Sequence, residues 1–410
     1  MPTPRELTAE ILDRCRSLGF AAAGVCRVEP SRYAAEVRAW LSDGKHGSMD
    51  FMEEFVDQRL DPARILEGGR WMIMVADLYT PRDRREDPPL PERHARLARY
   101  ARGRDYHEVI KRRLHRLSDE LRGTYAGSEF RSFTDTAPVT EREHAARAGL
   151  GWMAKNTMLI HPRLGSYFVI GGVLTTMELE QPEEQRQSAD HCGTCTRCID
   201  ACPTSAITPY RVDGSRCISY LTIEHRGQIE PGFFGPMGKW LYGCDICQEV
   251  CPHNSTRSPE IQGIGDDPAP PATKEGGWGT EEVGGVEAGG TPAPLDRVGG
   301  PNQDRVGVGT KARRNPDYTP RWDSLDVLNV LNWDEDGRRA AFTTSAMKRA
   351  TLEMMKRNAL IVAANLLRER PDTPAARALE SRVHQASEDP SEPELVRRTA
   401  REVLRSLHPA

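Results

Sequence analysis

Cysteine spacing constrains this chain of 410 residues more than any other feature, because eight of its ten cysteines lie between Cys192 and Cys251. The stretch CGTCTRCIDACP spaces four of them by two, two and three residues and ends in proline. This is the pattern of bacterial two-cluster ferredoxins, in which three cysteines hold one [4Fe-4S] cluster and the fourth ligates the other. The motif therefore predicts a second cluster and further ligands downstream.

A stretched second copy supplies those ligands. The string GCDICQEVCP provides three cysteines and a proline, and Cys217 takes the place of its missing first cysteine. The ferredoxin exchange then predicts two ligand sets, namely Cys192, Cys195, Cys198 and Cys251 for one cluster, and Cys202, Cys217, Cys244 and Cys247 for the other. The alternative is a pair of four-cysteine zinc sites, which the proline-terminated exchange does not favour. Cys15 and Cys26 stand in apolar patterns and are predicted to be core thiols.

Composition indicates a globular protein of two or three domains, with 38% hydrophobic and 28% charged residues. No run approaches the roughly 18 apolar residues of a membrane span, and the opening MPTPRELTAE resembles neither a secretory nor a twin-arginine leader. We therefore expect a cytoplasmic protein without membrane contact, where clustered cysteines are metal ligands rather than disulfides. Because the net charge is -4, any contact with nucleic acid requires a local basic patch.

The segment before the cysteines alternates strand and helix patterns. Helices are predicted over residues 4–17 and 106–123, and strands within 20–28, 71–79, 130–138 and 166–177. This alternation predicts an α/β domain with a mixed sheet over residues 1–188, followed by a ferredoxin-like domain with two clusters over 189–256. Clusters move single electrons and do no organic chemistry, so a long additional domain favours an enzyme over a carrier.

The C-terminal part begins after a change of composition. Between residues 263 and 310 there are 13 Gly and 6 Pro among 48 residues, which predicts a disordered insert over 257–316. Helical patterns over 317–410 predict a HEAT-like domain, including one long pattern over 336–367 and a last helix capped by Ser391. Residues 336–370 carry eight Lys or Arg against three acids. They form either a phosphate-binding edge or a solvated face.

Six strings resemble one known family, the epoxyqueuosine reductases: CGTCTRCIDACPTSAI, CISYLTIE, YGCDICQEVCP, ARYARGRDYH, DTAPVTER and GLGWMAKN. The resemblance implies an α+β multidomain protein, with an α/β cobalamin-binding domain, a ferredoxin-like domain and a HEAT-like helical domain that binds tRNA. It also implies the reduction of epoxyqueuosine to queuosine at the wobble position of tRNA. A low-potential donor of flavodoxin or ferredoxin type would supply electrons, and we expect a monomer.

The resemblance further implies that cob(I)alamin, reduced through the two clusters, attacks the epoxide while Asp135 protonates its oxygen. That role requires a pKa of Asp135 that is raised by burial against the corrin, whereas the alternative for this residue is an Asx turn. His107 stands in DYHEVI, which lacks the glycine of the D-x-H-x-x-G signature, so base-off cobalamin without a protein histidine ligand is expected. The predicted corrin and substrate contacts are Arg59, Arg99, Tyr106, Arg142, Lys155 and Asn156. The predicted tRNA contacts are Lys348, Arg349, Lys356 and Arg357.

Two other functions are compatible with the cysteine motifs. One is a reductive dehalogenase, which shares cobalamin and paired clusters, and the other is a cobalamin or electron-transfer module without a substrate. Departures from the family pattern occur at Ala137, Ala154, His253 and Phe233 to Pro236. None of them removes a cluster cysteine or Asp135.

Overall fold

The structure, a computed structural model, describes residues 2–81, 89–255 and 314–408. The first part of the chain forms helices and strands around one sheet. Its helices are α1 (Pro4–Ser17), α2 (Ala34–Ser42), α3 (Phe51–Glu54), α4 (Val56–Leu60), α5 (Tyr106–Thr124) and α6 (Glu141–Arg147). Its strands are β1 (Ala22–Arg27), β2 (Trp71–Leu78), β3 (His94–Leu97), β4 (Phe130–Phe133), β5 (Trp152–Met153), β6 (Leu159–Ile160) and β7 (Phe168–Thr175).

The main sheet has four strands in the order β1-β2-β7-β4. Every pairing in it is antiparallel, so the expected mixed sheet is wrong here. All eight residues of β2 are buried, because α1 and α5 cover one face and α6 covers the other. Gly24 on β1 permits the close approach of α6, since a Cβ there would lie 2.0 Å from the carbonyl oxygen of Ala148. This contact packs the C-terminal end of α6 against β1.

The cysteine segment is built from short elements joined by turns. Its helices are α7 (Arg197–Asp200), α8 (Ile218–Ile223), α9 (Phe234–Met237) and α10 (Ile246–Glu249), and its strands are β8 (Ile207–Thr208), β9 (Arg211–Val212) and β10 (Trp240–Tyr242). The C-terminal elements are β11 (Ser324–Asp326), α11 (Val327–Leu331), α12 (Glu335–Phe342), α13 (Leu352–Glu369), α14 (Pro374–Glu388) and α15 (Glu394–Leu407).

A three-stranded sheet joins the three segments, in the order β10-β3-β11. The β10 strand runs parallel to β3 and β11 runs antiparallel to it, so this smaller sheet is the mixed one. Residues 354–367 of α13 are all buried, because α9, α11, α14, α15 and β10 surround the helix. One continuous apolar core consequently links the cysteine segment to the helical domain.

Several predicted boundaries differ from those in the structure. The single helical pattern over 336–367 is divided into α12, a 3₁₀ turn at Ala346–Arg349 and α13, because Ser345 and Thr351 each cap a new turn. Ser391 does not cap α15; its hydroxyl instead donates to Asp389 at 2.6 Å, and Pro393 occupies the cap position. Cys15 and Cys26 are buried, and burial raises the pKa of both thiols to about 12.

The predicted insert over 257–316 lies outside the described residues except for its last three. In those, Asn315 donates to Asp77 at 3.1 Å, and the hydroxyl of the following Tyr318 donates to the same carboxylate at 2.6 Å. The chain is therefore already packed on the first domain before the predicted boundary at 316. Among the described helices, none is long and apolar enough to cross a membrane.

Candidate functional site

Asp135 lies in the loop that follows β4. Its backbone is left-handed, with φ of 43°, a conformation that aspartate adopts more readily than most residues. Two contacts fix the loop: the hydroxyl of Thr134 donates to the carbonyl of Ile170 at 2.9 Å, and Glu141 accepts from the Asp135 amide at 2.6 Å. The Asp135 side chain is 54% exposed and stands in a recess formed by Arg59, Tyr106, His107, Glu141 and Arg142. A substrate can therefore reach a carboxylate whose surroundings are fixed.

A chain of polar contacts leads from Asp135 to the helical domain. His107, in the first turn of α5, places Nε2 2.8 Å from Oδ2 of Asp135 and Nδ1 2.7 Å from Oδ1 of Asp105. Asp105 is 2% exposed, caps α5 and lies 2.8 Å from Nζ of Lys348. Lys348 also lies 2.8 Å from Oε1 of Glu108. Four side chains from two domains thus form one hydrogen-bonded line.

The contacts in this line shift the pKa values of Asp135 and His107 in opposite directions. Confinement in the recess raises the pKa of Asp135, but the hydrogen bond and positive charge of His107 outweigh that effect and leave the pKa lowered. Burial disfavours the His107 cation, but Asp105 and Asp135 raise its pKa to about 9. The protein residues by themselves therefore lower the pKa of Asp135, and the raised pKa expected from burial against a corrin stays a prediction. The proton of the pair resides on His107 at neutral pH.

Glu141 is the carboxyl group beside Asp135 whose pKa is raised. Burial is the main cause, and the neighbouring Asp135 carboxylate adds to it, so the pKa of Glu141 reaches about 8. The sequence interpretation missed this residue, although it stands in the string DTAPVTER, six positions after Asp135. The sequence pattern bears on His107 only as a ligand to cobalt. Its contact with a carboxylate 28 positions away has no sequence signature.

Three of the predicted pocket residues surround Asp135. The charges of Arg59, at the end of α4, and of Arg142, on α6, both act on Asp135 and Glu141. The Tyr106 ring stacks on His107 with centroids 4.0 Å apart, and burial followed by the charge of Asp135 raises its pKa. Arg349 of the helical domain also faces Asp135 and packs over the Phe51 ring at 5.6 Å. The recess is therefore rich in cations and aromatic rings.

The other three predicted pocket residues contact the cysteine loops instead. Lys155 donates to the carbonyls of Gly193 at 2.6 Å and Cys195 at 3.2 Å. Asn156 is buried and donates to the carbonyl of Cys247 at 3.2 Å. The Arg99 amide donates to Asp245, between Cys244 and Cys247, at 2.7 Å. These residues support the loops on which the cysteines lie, and their observed partners are not in the Asp135 recess.

Cysteines of both motifs lie close enough to affect one another's pKa. Burial raises the pKa of Cys251 to about 11, and the neighbouring sulfurs that add to it are those of Cys192, Cys198 and Cys195. Burial likewise raises the pKa of Cys247, where Cys217 and Cys202 contribute along with Cys198. The thiol pKa of Cys244 is also raised, first by burial and then partly by Cys247 and Cys217. Thiols in such surroundings become thiolates only when a positive metal centre binds them.

The spacing of the sulfurs bears on the kind of metal. A tetrahedral zinc site with Zn–S bonds of about 2.3 Å brings its four sulfurs to within about 4 Å of one another. In the described part of the chain, no three His, Cys, Asp or Glu side chains converge in the manner of ligands to a single ion. The proline-terminated spacing of the cysteines remains the reason to expect iron-sulfur clusters rather than zinc.

The predicted tRNA contacts are mostly engaged within the protein. Arg357 is fully buried, and its guanidinium donates to the carbonyls of Leu221, His225 and Gly227 at 2.6–2.7 Å. Lys356 pairs with the buried Glu392 at 2.9 Å, beside a separate cavity of about 460 Å³ in the helical domain. The expectation that these two residues contact phosphates is wrong, since neither charge is available at the surface. Lys348 and Arg349 are 46% and 41% exposed and adjoin the Asp135 recess.

Two family models and several curated relatives match this chain. The family model "4Fe-4S double cluster binding domain" matches residues 191–254, and the model "Epoxyqueuosine reductase QueG, DUF1730" matches residues 59–136. The epoxyqueuosine reductase of Pseudomonas aeruginosa is 41% identical over 265 residues, which is 64% of this chain and 73% of the relative. That of Leadbetterella byssophila is 41% identical over 256 residues, which is 62% of this chain and 82% of the relative.

Two solved structures share the fold. An epoxyqueuosine reductase with an epoxyqueuosine-modified tRNA-Tyr stem loop matches with a TM-score of 0.73 and 22% identity, over 99% of this chain and 100% of that one. The Bacillus subtilis enzyme, with its catalytic aspartate loop swung out of the active site, also gives 0.73 and 22%, over 97% and 89%. With the sequence relatives covered over more than two thirds of their length, this chain belongs to the epoxyqueuosine reductase family.

Proposed function

We propose that this chain reduces epoxyqueuosine in tRNA to queuosine and that Asp135 delivers a proton to the departing epoxide oxygen. The family supports the reaction. The observation that supports the role of Asp135 is its position, half exposed in a cationic recess and 2.8 Å from a histidine that carries a proton. A carboxylate so placed can pass a proton to a bound oxygen atom.

Eight cysteines would hold two [4Fe-4S] clusters in the exchanged arrangement. Cys192, Cys195, Cys198 and Cys251 would ligate one, and Cys202, Cys217, Cys244 and Cys247 the other. The segment from Arg99 to Tyr106 joins the second group to the recess. Its Tyr100 ring lies 5.8 Å from the Tyr106 ring and 6.5 Å from that of Tyr242, centroid to centroid. These three rings connect β10, which precedes Cys244, with the residue next to His107.

The recess also fits a cobalamin. Within the described ranges, the buried Nε of Arg59 has no hydrogen-bond partner, as expected where a polar group of a cofactor completes the site. A bound cobalamin would accept single electrons from the clusters and supply a strong metal-centred nucleophile toward an epoxide carbon. Both ring nitrogens of His107 are already bonded to carboxylates, which supports a base-off cofactor without a histidine ligand from the protein.

The chemistry that remains for the protein is proton supply and orientation. Conversion of an epoxide to an alkene breaks two C–O bonds, consumes two electrons and two protons, and releases the oxygen as water. Asp135 is placed to give a proton to that oxygen, while Arg59, Arg142 and Arg349 balance the negative charge that develops on it. Lys348 and Arg349 stand at the edge of the recess, where the tRNA backbone would approach.

We further propose that the protein acts as a monomer in the cytoplasm and takes electrons from a flavodoxin- or ferredoxin-type donor. A recess formed within one chain needs no second copy to complete it. Either cluster would be accessible to the donor protein, since seven of the eight cysteines are partly exposed and Cys251 alone among the eight is buried.

The test is an anaerobic reaction of the reconstituted protein with cobalamin, a low-potential reductant and tRNA that carries epoxyqueuosine. Mass spectrometry of the nucleosides should show loss of one oxygen that depends on cobalamin. Asp135→Asn should lower the rate by about a hundredfold or more while cluster content and tRNA binding stay unchanged. An active Asp135→Asn variant would exclude the proposed role of this residue.

A further inference from the structure

We propose that His107 is the proton reservoir for Asp135, and that Asp105 and Lys348 are positioning residues that set how firmly the reservoir holds its proton. This inference rests on the proposed function of Asp135 and extends it to a line of four residues. The line starts at the recess and ends on the helical domain that would contact the tRNA.

The geometry supports the transfer of a proton from His107 to Asp135, which we call the relay. His107 Nε2 lies 2.8 Å from Asp135 Oδ2, within the range for proton transfer between a ring nitrogen and a carboxylate. Nδ1 lies 2.7 Å from Asp105 Oδ1, so the buried aspartate fixes the ring orientation and stabilises the imidazolium. Tyr106 stacks against the ring, with centroids 4.0 Å apart, and prevents it from turning. The arrangement aims one N–H bond of His107 at Asp135.

Lys348 gives this relay its connection to the helical domain. Its Nζ lies 2.8 Å from Oδ2 of Asp105, the carboxylate oxygen that does not face His107. A cation at that oxygen partly neutralises Asp105 and so weakens its hold on the imidazolium proton. Because Lys348 belongs to the turn between α12 and α13, any shift of that turn by a bound tRNA changes the charge beside Asp105.

Other charged and titratable groups also face the relay. Glu141 and Tyr106 adjoin Asp135, and so do the cations of Arg59, Arg142 and Arg349. Glu108 shares Lys348 with Asp105. The net effect on His107 is a pKa of about 9, in which burial acts against the two aspartates and the aspartates prevail. The reservoir is therefore charged throughout the neutral range.

The proton balance is simple. One proton passes from His107 Nε2 to Asp135, and from Asp135 to the epoxide oxygen as its C–O bond breaks. His107 becomes neutral with its remaining proton on Nδ1, facing Asp105, and recovers the lost proton from solvent through its exposed edge. The two electrons come through the clusters of the proposed function, and the second proton to the leaving oxygen comes by the same route or from water.

The first test compares pH profiles under single-turnover conditions with pre-reduced enzyme. For the unaltered protein we expect a rate that is level from about pH 6 to about pH 8 and falls near pH 9. In His107→Gln the proton must sit on Asp135 itself, so the rate should fall about tenfold per pH unit over the same range. His115→Gln, an exposed position on the same helix, is the matched control and should retain the original profile.

The second test does not depend on activity. Deuterium exchange at Cε1 of His107, read by mass spectrometry of its peptide, reports the protonation of that ring as pH is varied. Asp105→Asn should move the midpoint downward and still cap α5, since asparagine is an equally good cap. Lys348→Met should move it upward. Damage to the fold alone would not shift the midpoint in opposite directions.

The outcomes distinguish failure of the proposed function from failure of the proton relay. If the unaltered protein does not reduce the epoxide, the proposed function fails. If it does, but His107→Gln merely lowers the rate with an unchanged pH profile, the reservoir role is overturned. A His107 midpoint near the ordinary value of about 6.5, or shifts of equal sign in the two variants, would overturn the positioning roles of Asp105 and Lys348.

Discussion

Arg357 on α13 donates through Nη2 to the carbonyl oxygen of Leu221, at the end of α8, over 2.7 Å. The same guanidinium holds the carbonyls of His225 and Gly227, and the adjacent Asn358 donates to Thr222 at 2.9 Å and Leu241 at 3.0 Å. The helical domain therefore fixes the backbone that carries Cys217 and leads to Cys244. Its contribution to the site is structural as well as electrostatic.

Replacement of Arg357 with methionine should destabilise the protein by about 3 kcal/mol or more, because three buried carbonyls lose a charged donor. Calorimetry should show a lowered Tm, and iron should be lost more readily during purification. Arg377→Met, at an exposed position of α14, is the control and should change the Tm little. A stable Arg357→Met variant with weakened tRNA binding would instead restore the original interpretation as a phosphate contact.

Local patterns predicted the elements of the fold well where each one buries a regular face. The strand run at 71–79 became β2, and the helical pattern at 4–17 became α1 with the same limits. The pattern over 336–367 failed because hydrophobic periodicity does not register a break held by caps. Arg338 donates to the carbonyls of Lys348 and Ala350 at 2.8 and 2.9 Å and stabilises the turn that interrupts the helix.

The site was predicted only in part, for a related reason. Cysteine spacing reflects a local loop, so the chain alone is enough to predict two groups of ligands. The relay depends instead on contacts between His107 and Asp135, 28 positions apart, and between Asp105 and Lys348, from different domains. Arg357 shows the opposite error, since a basic pair in sequence does not reveal that one member points into the core.

The raised pKa of Glu141 has a consequence for stability. A carboxyl group with a pKa of about 8 in the folded protein and about 4.5 in the unfolded chain keeps its proton only when folded. Between these values the folded state binds more protons, so its stability falls as pH rises. Relative to Glu141→Gln, the unaltered protein should lose on the order of 2 kcal/mol from about pH 5 to about pH 8.

Thermal unfolding at both pH values measures this difference. Glutamine keeps the oxygen that accepts from the Asp135 amide, so the loop should remain in place in the variant. The matched control is Glu183→Gln, whose side chain is 89% exposed and should leave the pH dependence unchanged. Parallel pH profiles for the unaltered protein and Glu141→Gln would show that Glu141 is ionised in the fold.

Arg349 should be the more important of the two cations at the edge of the recess for tRNA binding. Lys348 divides its charge between two carboxylates, whereas in the described part of the chain Arg349 forms one salt bridge, with Glu224, and faces Asp135. Arg349→Met should weaken the binding of an anticodon stem loop by several fold and reduce the slope of log affinity against log salt by about 1. Arg398→Met, at an exposed position of α15, is the control. An unchanged slope would place the phosphate contacts elsewhere.

The exchanged ligand sets make a specific prediction for iron content. Cys251 is the last cysteine of the second motif, but the sulfurs that act on it are those of the first, so Cys251→Ser should disturb the cluster of Cys192, Cys195 and Cys198. Iron should fall from about eight to about four atoms per chain, and the remaining electron paramagnetic resonance signal should lose its coupling to a second cluster. Cys217→Ser should remove the other cluster, and Cys26→Ser, in the apolar core, should remove neither. If Cys251→Ser and Cys217→Ser eliminate the same signal, the exchange is wrong and the ligands follow the order of the chain.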